Sequence, residues 1–217
     1  MTDLAATPAP RTPPGLASSR DADLARSGFR LMNRWFMVPA LRAGLGAWLN
    51  TPLGGWILLL RVRGRRSGRL RETPLNYLVA DGSAWVMAGF GVRTEWYRNL
   101  LADPAVEVRL PGGALAATAV EVTDPATRAR ILPPLARSVG LPAFLAGINP
   151  WRDGDAVILE ALRDVPLVRL DAACGSLEPG PDDPGGGAWV WRQGLVLLAA
   201  LVIKRLVWRT LGPLARR

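Results

Sequence analysis

Six arginines fall within eleven residues, Arg61, Arg63, Arg65, Arg66, Arg69 and Arg71, and no acid offsets them before Glu72. At their centre the turn Gly64-Arg65-Arg66-Ser67-Gly68 offers backbone N–H groups, a hydroxyl and guanidinium forks at one spot, which is the chemistry that holds an oxyanion such as a phosphate. A basic hairpin can equally be a solvated sheet edge blunted against aggregation, and both readings are open on the residues alone. Other chemistries are removed by what the sequence lacks. With no histidine, His-ligated metals, Ser-His-Asp triads and Cys-His dyads are excluded. The single cysteine, Cys174, can form neither an internal disulfide nor a thiolate cluster, so no metal is expected and a reducing cytoplasm fits. The hard chemistry of an enzyme built this way would come from a bound organic cofactor.

The elements that position the turn follow from apolar spacing and punctuation. From Phe29 to Leu49 the residues Leu31, Trp35, Phe36, Val38, Leu41, Leu45, Trp48 and Leu49 recur near helical spacing, and Pro39 should kink or restart that helix. Trp56 to Val62 is an apolar run that enters the glycine-flanked turn, and Pro74 to Val79 and Ala84 to Phe90 follow as strands joined by Asp81-Gly82. Arg93 to Leu101 reads as a helix ended by Asp103-Pro104. Val106 to Leu110 and Leu115 to Val122 form a second hairpin across Pro111-Gly112-Gly113. A helix capped by Thr123 or Asp124 starts at Pro125 and is expected to break at Pro133-Pro134. Arg137 to Leu162 reads as helical with breaks at Pro142 and Pro150, and Val165 to Leu170 as the last strand.

The chain thus divides into an arm over 1–28 without structure of its own, one core domain over 29–170, a Gly/Pro linker over 171–188 and a basic, apolar helix over 189–217. Net charge is +9, and the stretch from Trp189 to Arg217 holds six basic residues and no acid, which favours anionic surfaces. Gly194 to Ile203 is apolar all round, but ten helical residues span only about 15 Å, roughly half of a bilayer's hydrocarbon core. A longer span to Trp208 would require Arg192, Lys204 and Arg205 to snorkel. The helix therefore either meets a membrane or docks on the chain's own apolar N-terminal segment or on a second copy.

The run GRRSGRLRETPLNYLVADGSAWVMAGFG, followed by WYRNLLADPAVEV, resembles the deazaflavin-dependent nitroreductase and quinone reductase family, the split β-barrel proteins that use coenzyme F-420. The likeness extends from about Phe29 to Leu170, and its motifs G-R-[KR]-[ST]-G-x-x-R and W-Y-x-N-L-x-A-[DN]-P are specific in combination. It implies an α+β fold, a split β-barrel with flanking helices and an appended C-terminal helix. By this resemblance Arg65, Arg66, Ser67 and Arg71 grip the coenzyme's phosphate and polyglutamate side, and the strand Glu72, Thr73, Pro74, Leu75, Asn76 lines it. Ala88, Gly89, Phe90 and Gly91, with Glu95, Trp96, Tyr97, Arg98 and Asn99, match segments that embrace the deazaflavin ring and ribityl chain. A basic mouth suits the acidic tail, and Pro74, Leu75, Trp96 and Gly89-Phe90-Gly91 could form an apolar slot that keeps water from the hydride.

Two departures stand out. Phe90-Gly91 replaces a small polar residue and a lysine, leaving that basic contact to Arg93, and the acceptor-side tyrosines have no match between Gly140 and Asp155, where Phe144 and Trp151 are the aromatics. The implied activity is hydride transfer from reduced F-420 to a quinone, a nitroaromatic or another electron-poor acceptor, with solvent or the Tyr97 hydroxyl supplying the proton. The alternatives are sequestration of F-420 or a related flavin without turnover, and FMN as the cofactor. Nucleic acid is not expected as a partner, because the hairpin lacks interleaved exposed aromatics.

Overall fold

The computed structural model describes Gly28, residues 31–178 and residues 187–211. Apart from Gly28, the expected N-terminal arm lies outside the described residues, as do residues 179–186 of the expected linker and 212–217 of the tail. Six strands close into one antiparallel barrel: β1 Ile57–Arg63, β2 Leu70–Ala80, β3 Ser83–Met87, β4 Ala105–Leu110, β5 Gly113–Val122 and β6 Leu167–Ala172. Their order around the barrel is β1-β2-β3-β6-β5-β4, with β4 returning to β1 through Leu59↔Arg109 and Arg61↔Glu107. This is the split-barrel architecture that the motifs imply.

Period-two alternation builds the wall. Leu58, Leu60 and Val62 of β1, Tyr77 and Val79 of β2, Val106 and Val108 of β4 and Val168 and Leu170 of β6 point inward and share one buried cluster. Pro74 sits within β2, where a missing N–H would ordinarily break a ladder. It is tolerated because β3 pairs with β2 only over Tyr77 to Ala80, so that at Pro74 the second edge is open. The β2–β3 turn uses Asp81 at φ 53° and Gly82 at φ 75°, the paired left-handed geometry that a two-residue hairpin requires. β3 ends at Met87 rather than Phe90, because the chain turns at Ala88, whose N–H donates to Pro166 O (2.9 Å).

The helix after β5 runs unbroken from Pro125 to Ser138, with Asp124 accepting from Thr127 N (2.8 Å) and Pro133 and Pro134 inside it. The expected break is therefore absent. An interior proline costs about 3 kcal/mol in a helix. Ile131, Leu132, Leu135 and Ala136 are buried against Trp85, Ile158 and Leu167 outside the barrel, and each fully buried large side chain contributes about 1.5 to 3 kcal/mol. Burial outweighs the prolines. Beyond lie a short 3-10 turn, Leu141–Ala146, and a helix, Asp155–Ala161, so the helical region is interrupted around Pro142 and Pro150 as expected.

The N-terminal segment forms a π turn, Asn33–Met37, then helices Val38–Arg42 and Gly46–Leu49 separated at Gly44, where φ is 81°. The restart at Pro39 is as expected, and the break at Gly44 is an additional one. The C-terminal helix, Trp189–Leu211, meets this segment: Gln193 Nε2 donates to Trp48 O (3.2 Å), and the Arg192 guanidinium lies 5.2 Å from the Trp48 ring centroid. Docking on the chain's own N-terminal segment thus holds for one turn. Further along, Leu197, Leu201 and Ile203 are about 60% exposed. Among the described residues no helix is long and apolar enough to cross a membrane.

Candidate functional site

The turn between β1 and β2 is fixed by its own backbone. Gly64 N donates to Arg69 O (2.9 Å), and Gly68 N donates to Gly64 O (2.8 Å), with Gly68 at φ 64°. The arginines then separate into two sets. Arg61 Nη1 donates to Glu107 Oε2 (2.6 Å) and its Nε lies 3.2 Å from Glu72 Oε1, a charge contact without hydrogen-bond alignment. Arg63 donates to Gly68 O (3.1 Å) and lies 3.5 Å from Asp103. Arg65 reaches across to the helix Glu95–Ala102, where its Nη1 donates to Glu95 Oε2 (2.7 Å) and to Asn99 Oδ1 (2.9 Å). The Arg65 backbone N–H donates to the same Asn99 oxygen (3.2 Å). Arg66, Arg69 and Arg71 make no ion pair with any acid among the described residues, and all three are exposed.

The two sequence motifs therefore meet through one clamp, Arg65 to Glu95 and Asn99. Asn99 is buried and its side-chain oxygen is consumed by the hairpin, so it positions the turn rather than facing a ligand. The hydrogen bond from Arg65 holds the Glu95 carboxyl below the usual carboxylate range, with Arg98 and Arg66 adding their charge, and the same bond raises Arg65. With Arg65 spent, Arg66, Arg69 and Arg71 are the cations near the turn that hold no acid among the described residues. The stem of Arg71 folds toward it: Arg71 Cγ lies 3.7 Å from where a side chain on Gly64 would begin. Ser67 Oγ faces the same bend and accepts weakly from Arg69 N (3.4 Å).

The residues expected to line an apolar slot are not all on one side. On β2, Leu75 packs on the barrel interior with Tyr77, and Thr73 shares that face, whereas Glu72, Pro74 and Asn76 lie on the outer one. Glu72 is held there by Arg42 and Arg61, and Asn76 Nδ2 donates to Trp56 O (3.4 Å). Trp96 is buried in the barrel core, edge-on to Tyr97 at 6.2 Å between ring centroids. What remains open beside the turn is the loop 88–94. Gly89 has free space where a side chain would begin, Phe90 is exposed, and Gly91 takes φ 75° while its carbonyl accepts from Thr94 Oγ1 (2.7 Å). Arg93 and Arg98 are exposed on the same approach, Arg98 within 3.8 Å of Glu95.

Tyr97, read from the sequence as a proton donor, is instead buried in the barrel with its hydroxyl donating to Glu121 of β5. Burial first, then that hydrogen bond, pushes its pKa from 10 up to about 12. A folded-state value above the unfolded one stabilises the protein fully below pH 10 and loses that contribution as pH rises toward 12. Tyr97→Phe is accordingly expected to flatten the alkaline limb of the urea midpoint against pH, and to leave the reductase turnover that the sequence resemblance implies within about twofold of wild type at neutral pH. A tenfold loss of turnover in a normally folded Tyr97→Phe would restore the catalytic reading.

A closed antiparallel barrel with flanking helices and a cationic turn clamped to the next helix defines a split β-barrel of the flavin-reductase-like fold. Residues 37–139 match the family model described as F420H(2)-dependent quinone reductase, a span that holds both motifs and the whole clamp. Over that span the chain is similar to the F420H(2)-dependent quinone reductases, an oxidoreductase family whose coenzyme is F-420. Similar solved structures include an F420-H2 dependent reductase, FDR-A, at 23% identity over 53% of this chain and 93% of that one, with a TM-score of 0.40. Another is a conserved hypothetical protein of Mycobacterium tuberculosis, at 19% identity over 64% of this chain and 92% of that one, with a TM-score of 0.43. The heme storage protein HutZ of Vibrio cholerae matches at 16% identity over 58% and 87%, with a TM-score of 0.39.

Proposed function

We propose that this reductase binds F-420 by its acidic tail at the turn 64–68, through Arg66, Ser67 and Arg71, and delivers hydride to an apolar quinone. The observation that carries the reading is the division of the arginines: Arg65 is spent on the clamp, whereas Arg66 and Arg71 are exposed beside the turn and make no ion pair among the described residues. Residues of this kind fit a coenzyme whose tail carries phosphate and glutamate charges. Bound there, reduced F-420 supplies the hydride. The loop Ala88–Gly91, with its open backbone at Gly89 and the Phe90 ring, supports apolar contact beside the turn, and Arg93 adds a further cation. With the Tyr97 hydroxyl committed to Glu121, the proton for the acceptor comes from solvent. Catalysis then rests on positioning and not on covalent chemistry.

The ends of the chain support a meeting with quinone at the cytoplasmic face of a membrane. Trp35, Phe36, Trp191, Leu197, Leu201 and Ile203 are all more than half exposed, and the helix that carries the last four has no acid. The test is an acceptor panel with reduced F-420: menadione, a long-chain menaquinone in vesicles, and a nitroaromatic. The quinones are expected to be reduced at least about tenfold faster than the nitroaromatic, and the reverse order would replace the quinone by a nitro acceptor.

A further inference from the structure

Away from the turn, a cavity of about 310 Å³ opens between the N-terminal segment and the β4–β5 hairpin. Its apolar part is Leu41, Ile57, Leu110 and Pro111, and its polar part is Arg42, Arg109 and a glycine-rich rim. Arg109 stands on the outer face of β4, opposite Leu59 and Ala114, half-buried and without a hydrogen bond or ion pair to any described residue. Leaving a guanidinium partly desolvated and unpaired costs free energy that an anion would recover. Among the described residues no acid lines the cavity, and Glu72 and Glu107 on the same outer face are already taken, Glu72 by Arg42 and Arg61 and Glu107 by Arg61.

The rim of this cavity belongs to the surface that faces outward. Gly44 and Gly46 flank Leu45, which is 45% exposed, and two residues on is Trp48, the residue on which the C-terminal helix rests. From Leu31 to Arg71 the chain contains no acid, nor does it from Gly187 onward. An apolar surface of two segments, fringed only by cations and with an unpaired arginine in a cavity at its edge, complements an anionic bilayer.

We propose that the Arg109 cavity receives the phosphate of an anionic lipid headgroup when the exposed N- and C-terminal segments lie on a membrane. The inference rests on the membrane reading above and gives it a specific lipid contact. Arg109 supplies the charge-assisted bond, Arg42 keeps one edge of its guanidinium on Glu72 and turns the other to the headgroup, and Leu41 and Pro111 border the glycerol end.

The full-length chain is mixed with vesicles of phosphatidylcholine alone, or of phosphatidylcholine with phosphatidylglycerol, and bound protein is read by co-sedimentation. Wild type is expected on the phosphatidylglycerol vesicles, Arg109→Ala about tenfold weaker, and the exposed distant variant Arg152→Ala unchanged. Arg109→Lys should recover part of the loss, and equal unfolding midpoints for all four proteins keep the comparison clean. Equal losses in Arg109→Ala and Arg152→Ala overturn the site while leaving membrane binding intact. Wild type absent from both vesicle types, with Trp191→Glu/Leu198→Glu no different from it, overturns the membrane reading itself. Inorganic phosphate that binds in solution with the same Arg109 dependence, while vesicle binding ignores Arg109, assigns the cavity to a free anion and overturns the lipid.

Discussion

Replacing Arg66 and Arg71 together by alanine is expected to weaken binding of reduced F-420 by about a hundredfold while leaving the unfolding midpoint unchanged. Neither side chain holds any part of the fold: both are exposed and neither makes an ion pair among the described residues. Their loss should therefore appear in binding alone. A hydrogen bond to a charged group contributes about 1.5 to 3 kcal/mol, and exposure to solvent and salt takes these two toward the lower end, so that together they give roughly the hundredfold stated. Wild-type affinity should fall with ionic strength and the variant's should fall less. Arg65→Ala should behave differently, losing stability and affinity together, because it removes the guanidinium's bonds to Glu95 and Asn99 and leaves only the backbone N–H of residue 65 to tie the turn to the helix Glu95–Ala102. Fluorescence titration beside urea melts separates the two behaviours. A double variant that binds as wild type does would leave the cationic turn without a ligand.

The largest effect on stability is expected at Gly140. Its φ is 69°, and a side chain there would begin 2.4 Å from Leu53 O and 2.9 Å from Pro52 O, contacts with backbone that cannot swing aside. The segment 51–55 is sewn to this place by Leu141 N donating to Leu53 O (2.8 Å) and by Trp56 N donating to Ser138 O (3.1 Å). Gly140→Ala must break those bonds or distort the end of the helix Pro125–Ser138, at a cost of about 3 kcal/mol or more. That is a large part of the 5 to 15 kcal/mol that a domain of this size typically has. A urea midpoint within error of wild type would mean that the segment 51–55 yields more readily than its hydrogen bonds imply. Gly55, on the other side of the same contact, is confined similarly, with Val139 O at 2.5 Å from the position of an added side chain.

Much of this was legible in the residues. Asp81-Gly82 forms the hairpin its type demands, the alternation in β1 and β4 sets their inward faces, and the six arginines do sit on a strand–turn–strand edge. Local spacing could not show that Arg65 is internal. Its partners Glu95 and Asn99 are about thirty residues away, and nothing in a run of like charges says which member will find a distant acid. One signal was available: EWYRN places Glu95 and Asn99 four apart, on one helical face, an acid and an amide able to grip one guanidinium. Trp96 and Leu75 read as slot residues because aromatic and apolar groups suit a ring, and Tyr97 as a proton donor, but the barrel interior takes all three. Pro133-Pro134 misled for the opposite reason: a local penalty was visible, whereas the burial that exceeds it depends on β3 and β6.

Whether the chain holds the deazaflavin and turns it over is tested directly by one mixing experiment. Purified protein is titrated with reduced F-420 and, separately, with reduced FMN, following fluorescence quenching and then oxidation on addition of menadione. Saturable binding of F-420, with oxidation that scales with protein concentration and no comparable binding of FMN, is the expected result. Binding of FMN alone, or quenching by F-420 without any menadione-dependent oxidation, would contradict it.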